Sequence, residues 1–471
     1  ICPVHTNETN DLICIHCGSR AGQARPFEMS LDKSLETADS LVAMGAELVT
    51  LSGGEPTLKD GWDRIARRLV EGGVLVNMVT NGVYRTRERT SEIARMAVSA
   101  GMVNLGISID GPENIHNHIR GANTFSKAIE SIRTFRDAGI RVGVLTTINK
   151  LNFRYLEEIR QTAINAGATL WRLQLGKPMG NMEDADITIK PADLLELIPI
   201  LAYLKKKRGI QLAIGDSIGY YGPHDKVLRG QGWRGRKEMW KGCQAGMQAV
   251  GIEADGGIKG CLSLQAMQGD DDPFVEGDLM KNSLETIWYS PGKFQYNRDF
   301  HIDNLKEHCA SCAMGEVCRG GASCVASAFT GQLGVDPYCY YHLSQDRGLM
   351  QGGKGGLATA ASAAGLVLAL QGCNIGADGN PTDVVQTTDQ NYSDHNYATD
   401  TEYGVPPEDT TNLPDVQLEY GVPPEDTVSQ PDIQLDYGVP PEDTITYSDV
   451  ALAYGLPPED TTSQPDVQLD Y

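Results

Sequence analysis

After Lys354 the chain contains no lysine or arginine, yet 21 of its carboxylates lie there. The full chain carries −22 at pH 7, so setting those 21 charges aside leaves about −1 for residues 1–354. The acidity therefore belongs to the tail. A segment with many carboxylates and no basic residue is repelled by a phosphate backbone, which excludes nucleic acid as its partner. The near-neutral first part is not constrained in this way. Long apolar runs are missing as well. The uncharged stretch at residues 357–370 has fourteen residues, against about 20 for a membrane-spanning helix, so no transmembrane helix is expected. The chain opens with Ile1 and not Met. That is the start expected of a fragment or a processed protein, and a short targeting segment ahead of it would not be visible.

Cysteine, by contrast, is plentiful. There are eleven, but disulfide scaffolds are short secreted chains, and the spacings here are those of ligands. Cys14-x2-Cys17 lies near the start. A second region reads Cys243-x12-Gly256-x4-Cys261, then Cys309-x2-Cys312-x5-Cys318-x5-Cys324, then Cys339. Grouped thiolates suit iron–sulfur clusters or zinc. The seven could fill one four-ligand site and leave a second with an open iron, or hold two zinc ions less completely as a zinc-stapled small domain. A turn at Gly256 beside residues 250–254 predicts a hairpin that brings Cys243 and Cys261 together. Free thiolates of this kind fit a reducing, oxygen-poor cytoplasm.

The first 180 residues alternate short apolar strands with amphipathic helices. Residues 3–9 read as an opening strand. Helices are predicted over 30–44, with Ser30 as cap and Asp32 in the first turn, and over 62–70, 90–100, 124–138 and 155–166. Strands are predicted over 48–51, 74–80, 103–109, 141–148 and 170–175. Counted with the opening segment, this makes about six βα units, an α/β chain with parallel strands and right-handed crossovers. Six units build a partial (βα)6 TIM-type barrel, whose site forms on the loops after the strands' C-terminal ends. The polar signatures fall there: Cys14 and Cys17, Gly53-Gly54-Glu55-Pro56, Asn81, Ser108 and Asp110, Asn149, and Gln174. A helix over 192–207 and a Gly- and Tyr-rich connector follow. Trp171 reads as core, residues 205–208 as a solvated basic helix end, and His116 and His118 as structural residues rather than a metal pair.

These motifs resemble a radical SAM enzyme with a C-terminal SPASM domain, over about residues 3–345. That family carries Cys-x3-Cys-x2-Cys after its first strand, Gly-Gly-Glu-Pro after its second, and Ser-x-Asp-Gly after its fourth. The SPASM pattern is Cys-x9–15-Gly-x4-Cys, Cys-x2-Cys-x5-Cys-x3-Cys and a last Cys. The resemblance implies a [4Fe-4S] cluster on the loop of Cys14 and Cys17, with S-adenosylmethionine chelating its open iron. It implies one or two auxiliary Fe–S clusters on Cys243, Cys261, Cys309, Cys312, Cys318, Cys324 and Cys339. Gly53 and Gly54 would let the backbone approach the methionine moiety, and Glu55, followed by Pro56, would accept from its amino group. Ser108 and Asp110 would bond the ribose, His16 would lie near the adenine, and Arg120, Asn149 and Gln174 would line the rest. One electron, from a donor such as flavodoxin or ferredoxin, would then yield a 5′-deoxyadenosyl radical that abstracts hydrogen from a peptide or protein. Two departures stand out. Cys318-x5-Cys324 is two residues longer than the family spacing. The first cysteine of the loop motif is replaced by Asn10, and Cys2, twelve positions before Cys14, does not fit the spacing. Natural loss of catalysis, an engineered or erroneous residue, and rescue by another ligand are three open readings.

The tail repeats every 17 residues, marked by Tyr403, Tyr420, Tyr437, Tyr454 and Tyr471. The first four begin Tyr-Gly-[Val/Leu]-Pro-Pro-Glu-Asp-Thr, a pattern too poor in large apolar residues to bury a core. Disorder with extended Pro-Pro segments is expected. The stretch from Met350 resembles a lipoprotein precursor. Lys354 stands as its charged start, 357–370 as the apolar region, and Cys373 as the lipid-anchored residue of an exported product. An Ala-rich helix packed on the preceding domain is the alternative. The expected organisation is a barrel over 1–235, a SPASM domain over 236–347, a signal-like segment over 348–373, and a disordered repeat tail over 374–471. Two functions follow. One is a cytoplasmic maturase whose peptide substrate could be its own repeats. The other is a catalytically impaired Fe–S protein fused to a displayed acidic repeat.

Overall fold

A computed structural model describes residues 14–21, 27–215, 217–229, 240–264 and 272–346. The predicted opening strand, Asn10, and everything from residue 347 onward, with Cys373 and the repeats, lie outside the described residues. Among the described residues no helix is long and apolar enough to cross a membrane.

Six strands form one parallel sheet in chain order: β1 (Leu48–Leu51), β2 (Leu75–Thr80), β3 (Asn104–Ser108), β4 (Arg141–Ile148), β5 (Leu170–Leu175) and β6 (Gln211–Ile214). Helices connect them: α1 (Leu31–Ala43) precedes β1, then α2 (Trp62–Glu71), α3 (Arg87–Ser99), α4 (Glu113–Arg120) with α5 (Thr124–Asp137), α6 (Leu156–Ala166), and α7 (Asn181–Ala185) with α8 (Leu194–Lys205). This is the α/β partial barrel. The sequence pattern reached six strands by counting residues 3–9; within the described residues the sixth is β6. That strand pairs only with β5, has four residues, and buries only Leu212 fully, too little apolar periodicity to stand out beside a Gly-rich connector.

The local chemistry explains the boundaries. Ser30 Oγ accepts from Lys33 N at 3.1 Å and caps α1. Gly45 takes φ +75° just past its end, where a side chain would be strained. In α3, Thr86 Oγ1 accepts from Arg89 N at 3.2 Å, so the helix begins three residues before its apolar pattern does. A polar cap extends a helix where hydrophobic spacing is silent.

The core runs through the sheet. Met78, Ile107, Val144, Trp171 and Leu173 from the strands meet Ile65, Leu69, Ile93, Ile132 and Phe135 from the helices. Each such side chain contributes about 1.5–3 kcal/mol of burial. Trp171 is core, as expected, with Nε1 donating to Thr146 Oγ1 at 2.9 Å. The same cluster continues into Cys318, Val325, Tyr338, Cys339 and Tyr340, and Tyr341 N donates to Tyr220 O at 3.1 Å. The cysteine-rich region is thus packed onto the barrel. Its hairpin is β7 (Gly251–Ile252) and β8 (Gly257–Lys259), joined through Gly256 at φ +97° and flanked by β9 (Gly277–Asp278).

Candidate active site

One cavity of about 670 Å³ collects most of the motif residues. Cys14, His16 and Cys17 line one side; Gly53, Gly54 and Glu55 after β1, Ser108 at the end of β3, Arg120, and Gln174 near the end of β5 line others. The cysteine loop is held by its own turn, with Cys17 N donating to Cys14 O at 3.1 Å. It is also held by the segment after β5. Asn181 N donates to Cys17 O at 3.0 Å, and Asn181 Nδ2 to Cys14 O at 3.1 Å. A Cβ at Gly180 would come within 2.5 Å of Cys17 O, so only glycine lets the two backbones meet. Ala21 N donates to Cys17 Sγ at 3.3 Å, a bond suited to a sulfur carrying negative charge.

Glu55 is buried and surrounded by donors. Oε1 accepts from Thr57 N at 3.2 Å and Thr57 Oγ1 at 2.7 Å, and Oε2 from Asn81 N at 3.0 Å. Thr80 Oγ1 lies 2.8–2.9 Å from both oxygens. Burial raises the carboxyl above its usual range against these donors. Glu55 therefore ties the Gly-Gly-Glu-Pro loop to the end of β2 while still facing the cavity. Pro56, by contrast, is buried at the start of a one-turn 3-10 helix, Pro56–Leu58, and does not line the cavity.

Asp110 has a different place from the one the motif suggested. It is fully buried behind the cavity wall. Its Oδ1 accepts from Thr147 N at 2.8 Å, and its Oδ2 meets Arg120 Nε at 2.5 Å and His16 Nε2 at 3.0 Å. Burial works to raise this carboxyl, but Arg120 and His16 outweigh it and hold it well below the usual carboxylate range. A ribose contact would have to displace these partners, so Asp110 instead orients His16 and Arg120, which do line the cavity. His16 Nε2 is also 3.1 Å from Arg120 Nη2. One nitrogen cannot donate to Asp110 and accept from Arg120 at once; donation to the carboxylate fits the charges. His16 Nδ1 is buried with no hydrogen-bond partner. Asn149 is likewise fully buried off the cavity, with Nδ2 donating to Thr147 O and Oδ1 accepting from Leu151 N. Gln174 Nε2 donates to Thr147 Oγ1 at 2.9 Å at the cavity edge.

His116 is structural, as read from the sequence. Its Nδ1 accepts from Asp110 N at 3.2 Å, and burial, with the nearby charge of Arg120, lowers its pKa to about 3. The folded state thus keeps it neutral where an unfolded chain, near 6.5, takes up a proton. Its contribution to stability is full above pH 6.5 and is lost as pH falls toward 3. Between pH 7 and 5 the stability advantage of the native chain over His116→Gln is expected to shrink by about 2 kcal/mol. Urea unfolding at the two pH values measures it, and parallel stabilities would refute it. Taking the difference between variants cancels Asp336, whose carboxyl burial raises to about 6 and which acts in the opposite direction.

The seven later cysteines separate into two groups. Cys243, Cys261 and Cys324 pack around Ala245, Leu264 and Phe274, and the charges of Cys261 and Cys243 both act on Cys324. Cys309, Cys312, Cys318 and Cys339 form the other, with Cys318 and Cys309 acting on Cys339 and Cys312 on Cys309. This four-plus-three division is what one complete cluster and one with an open iron need. Burial pushes the Cys318 thiol up to about 12 and Cys324 up to about 11, so each keeps its proton in the metal-free chain and would lose it on ligating a metal. Backbone donors await the sulfurs: Ser263 N at 3.4 Å from Cys261 Sγ and Met314 N at 3.4 Å from Cys312 Sγ. Among the described residues no three metal-binding side chains are gathered tightly enough for a single ion. A four-iron cluster needs its thiolates spread over separate iron corners. The donor set fits Fe–S clusters. Two further parts of the wall belong to no sequence motif. Leu262–Leu264, beside Cys261, form one wall of the cavity, and Lys177, also in the wall, donates to Cys324 Sγ at 3.7 Å.

A partial barrel with a cysteine loop and a glycine-rich loop at its strand ends, followed by a packed cysteine domain, defines the class of radical SAM enzymes with auxiliary clusters. The comparisons with known proteins agree. The radical SAM superfamily matches residues 10–163, and the SPASM iron–sulfur cluster-binding domain matches residues 243–313. The chain carries a radical SAM domain followed by a SPASM domain, and by this resemblance it is a radical SAM enzyme. It is 26% identical over 344 residues to the AdoMet-dependent heme synthase of Methanosarcina barkeri, covering 70% of this chain and 93% of that one. It is 27% identical over 337 residues to the mycofactocin maturase MftC of Mycobacterium tuberculosis, covering 70% and 80%. With the PqqA peptide cyclase of Rhodopseudomonas palustris it shares 27% over 354 residues, covering 71% and 85%. In fold it resembles SuiB of Streptococcus suis bound to S-adenosylmethionine, at TM-score 0.55 and 15% identity over 72% of this chain and 76% of that one.

Proposed function

We propose that the chain is a peptide maturase that holds S-adenosylmethionine in the cavity beside Cys14 and Cys17 and modifies a ribosomally made peptide. The observation that carries this reading is that a single cavity touches both cysteine regions: His16, Gly53, Gly54, Glu55 and Ser108 on one side, Leu262–Leu264 and Lys177 on the other. A reactive centre and an auxiliary one can then act on the same bound segment. When bound, the cluster and S-adenosylmethionine supply one-electron chemistry and hydrogen abstraction. The protein's own residues would orient the cofactor: Gly53 and Gly54 by close backbone approach, Glu55 by fixing that loop in the cavity wall, Ser108 by its hydroxyl, and His16 as a ring in the wall held by Asp110. Arg120 and Gln174 would complete the wall. An electron donor such as flavodoxin or ferredoxin and a cytoplasmic site for the enzyme part belong to the same reading.

Peptides are favoured as substrates by two maturation relatives and by the chain itself, which carries repeats of Tyr-Gly-[Val/Leu]-Pro-Pro-Glu-Asp-Thr after Tyr403. Tethering would give these repeats an effective concentration of roughly millimolar where the linker reaches. The test is mass spectrometry of the tail after anaerobic expression with iron–sulfur assembly. The same mass change in successive 17-residue units is expected. Unmodified repeats would sink the tail as substrate. A second reading rests on Asn10: an impaired Fe–S domain fused to an acidic repeat that is exported and lipid-anchored at Cys373 once separated. It predicts intact repeats and no turnover of S-adenosylmethionine.

A further inference from the structure

The segment from Gly176 to Asn181 touches both metal-binding regions within six residues. At one end Lys177 Nζ donates to Cys324 Sγ at 3.7 Å. At the other, Asn181 holds the carbonyls of Cys14 and Cys17, and Gly180 packs against Cys17 O. Its position is fixed from below, since Gly176 N donates to Ile148 O at 2.9 Å and a Cβ there would strike Met182 and Ile148 O. Lys177 itself is half-buried in the cavity wall. Among the described residues no carboxylate forms an ion pair with it, although the chain is rich in such pairs elsewhere.

We propose that Lys177 is a positioning residue that sets the reduction potential of the auxiliary site formed by Cys243, Cys261 and Cys324 and ties that site to the substrate cavity. An ammonium has three donors and no acceptor. Directed at a ligand sulfur, it stabilises the more negative, reduced state of whatever cluster that sulfur holds, because net charge and hydrogen bonds to the sulfurs set such potentials. The other group, Cys309, Cys312, Cys318 and Cys339, has no lysine among the contacts above and acts as an internal reference. This inference requires an auxiliary cluster but not that the tail is the substrate, so it survives unmodified repeats.

The experiment is an anaerobic redox titration of the full reconstituted chain, followed by electron paramagnetic resonance, for the native sequence, Lys177→Met and Lys177→Arg. Lys177→Met is expected to move one auxiliary couple to a more negative potential and leave the other in place, with Lys177→Arg returning most of the shift. No shift in either couple, or equal shifts in both, would overturn the proposal. If Lys177→Met fails to bind iron, Lys177→Arg and Lys177→Gln carry the test. The charge-retaining variant must then lie nearer the native potential than the neutral one, and the reverse order overturns it equally.

Discussion

Replacing Asn10 with Cys is expected to raise 5′-deoxyadenosine formation by about two orders of magnitude or more. Partners that touch a metal only through its ligands are worth about 10–100-fold in affinity or activity, and a missing ligand removes more than such a partner. The loop motif supplies Cys14 and Cys17 in a cavity already built around them, with Ala21 N on the Cys17 sulfur and Asn181 on both carbonyls. An amide oxygen is a hard donor, poorly matched to cluster iron, whereas a thiolate is soft and charged. Asn10→Cys should also increase bound iron by about four atoms per chain, the content of a [4Fe-4S] site, while the auxiliary iron stays constant. Iron content and product formation are measured on the same anaerobic preparation. Unchanged iron with native levels of product would show that position 10 does not limit the site. High product from the native chain would show that another group already serves as the third ligand.

The cysteine spacings and strand-end placement carried the resemblance to the class, because ligand geometry constrains spacing and a parallel α/β sheet fixes where its loops gather. The first five strands, of four to eight residues, were found almost to the residue. What escaped was either short or polar. Gln211–Ile214 has one fully buried side chain, and the first turn of α3 is Arg-Glu-Arg held by a threonine cap. The site was legible in membership but less so in roles. Asp110, Asn149 and Pro56 belong to the right motifs, yet they face inward and build the wall rather than line it. Motif position reports which loop a residue is on; whether its side chain faces ligand or protein depends on neighbours far away in sequence, such as Arg120 and Thr147. Lys177 was invisible for the same reason. Its partner, Cys324, is 147 positions away, and a single lysine after a strand carries no pattern.

Asp110→Asn is expected to cost about 3–5 kcal/mol of folding stability, the range for removing one partner of a buried ion pair. The shape is preserved, and the amide oxygen can still accept from Thr147 N. What is lost is the counter-charge of Arg120, whose side chain is 12% exposed and cannot turn to water without unpacking the cavity wall. Cys14 and Cys17 lie within electrostatic reach of Arg120 and would carry negative charge as cluster ligands, so cluster-free protein should lose more stability than reconstituted protein. The pH dependence separates this effect from that of His116. A carboxyl held well below its usual range contributes stability that is present above the unfolded value of about 3.9 and is lost only as pH falls below it. The deficit of Asp110→Asn should therefore stay constant from pH 8 to 5, across the interval in which the His116 contribution declines. Removing Arg120 as well, in Asp110→Asn/Arg120→Gln, deletes the stranded charge and should recover part of the loss. Additive losses in the double variant would mean that packing, and not charge, accounts for the pair.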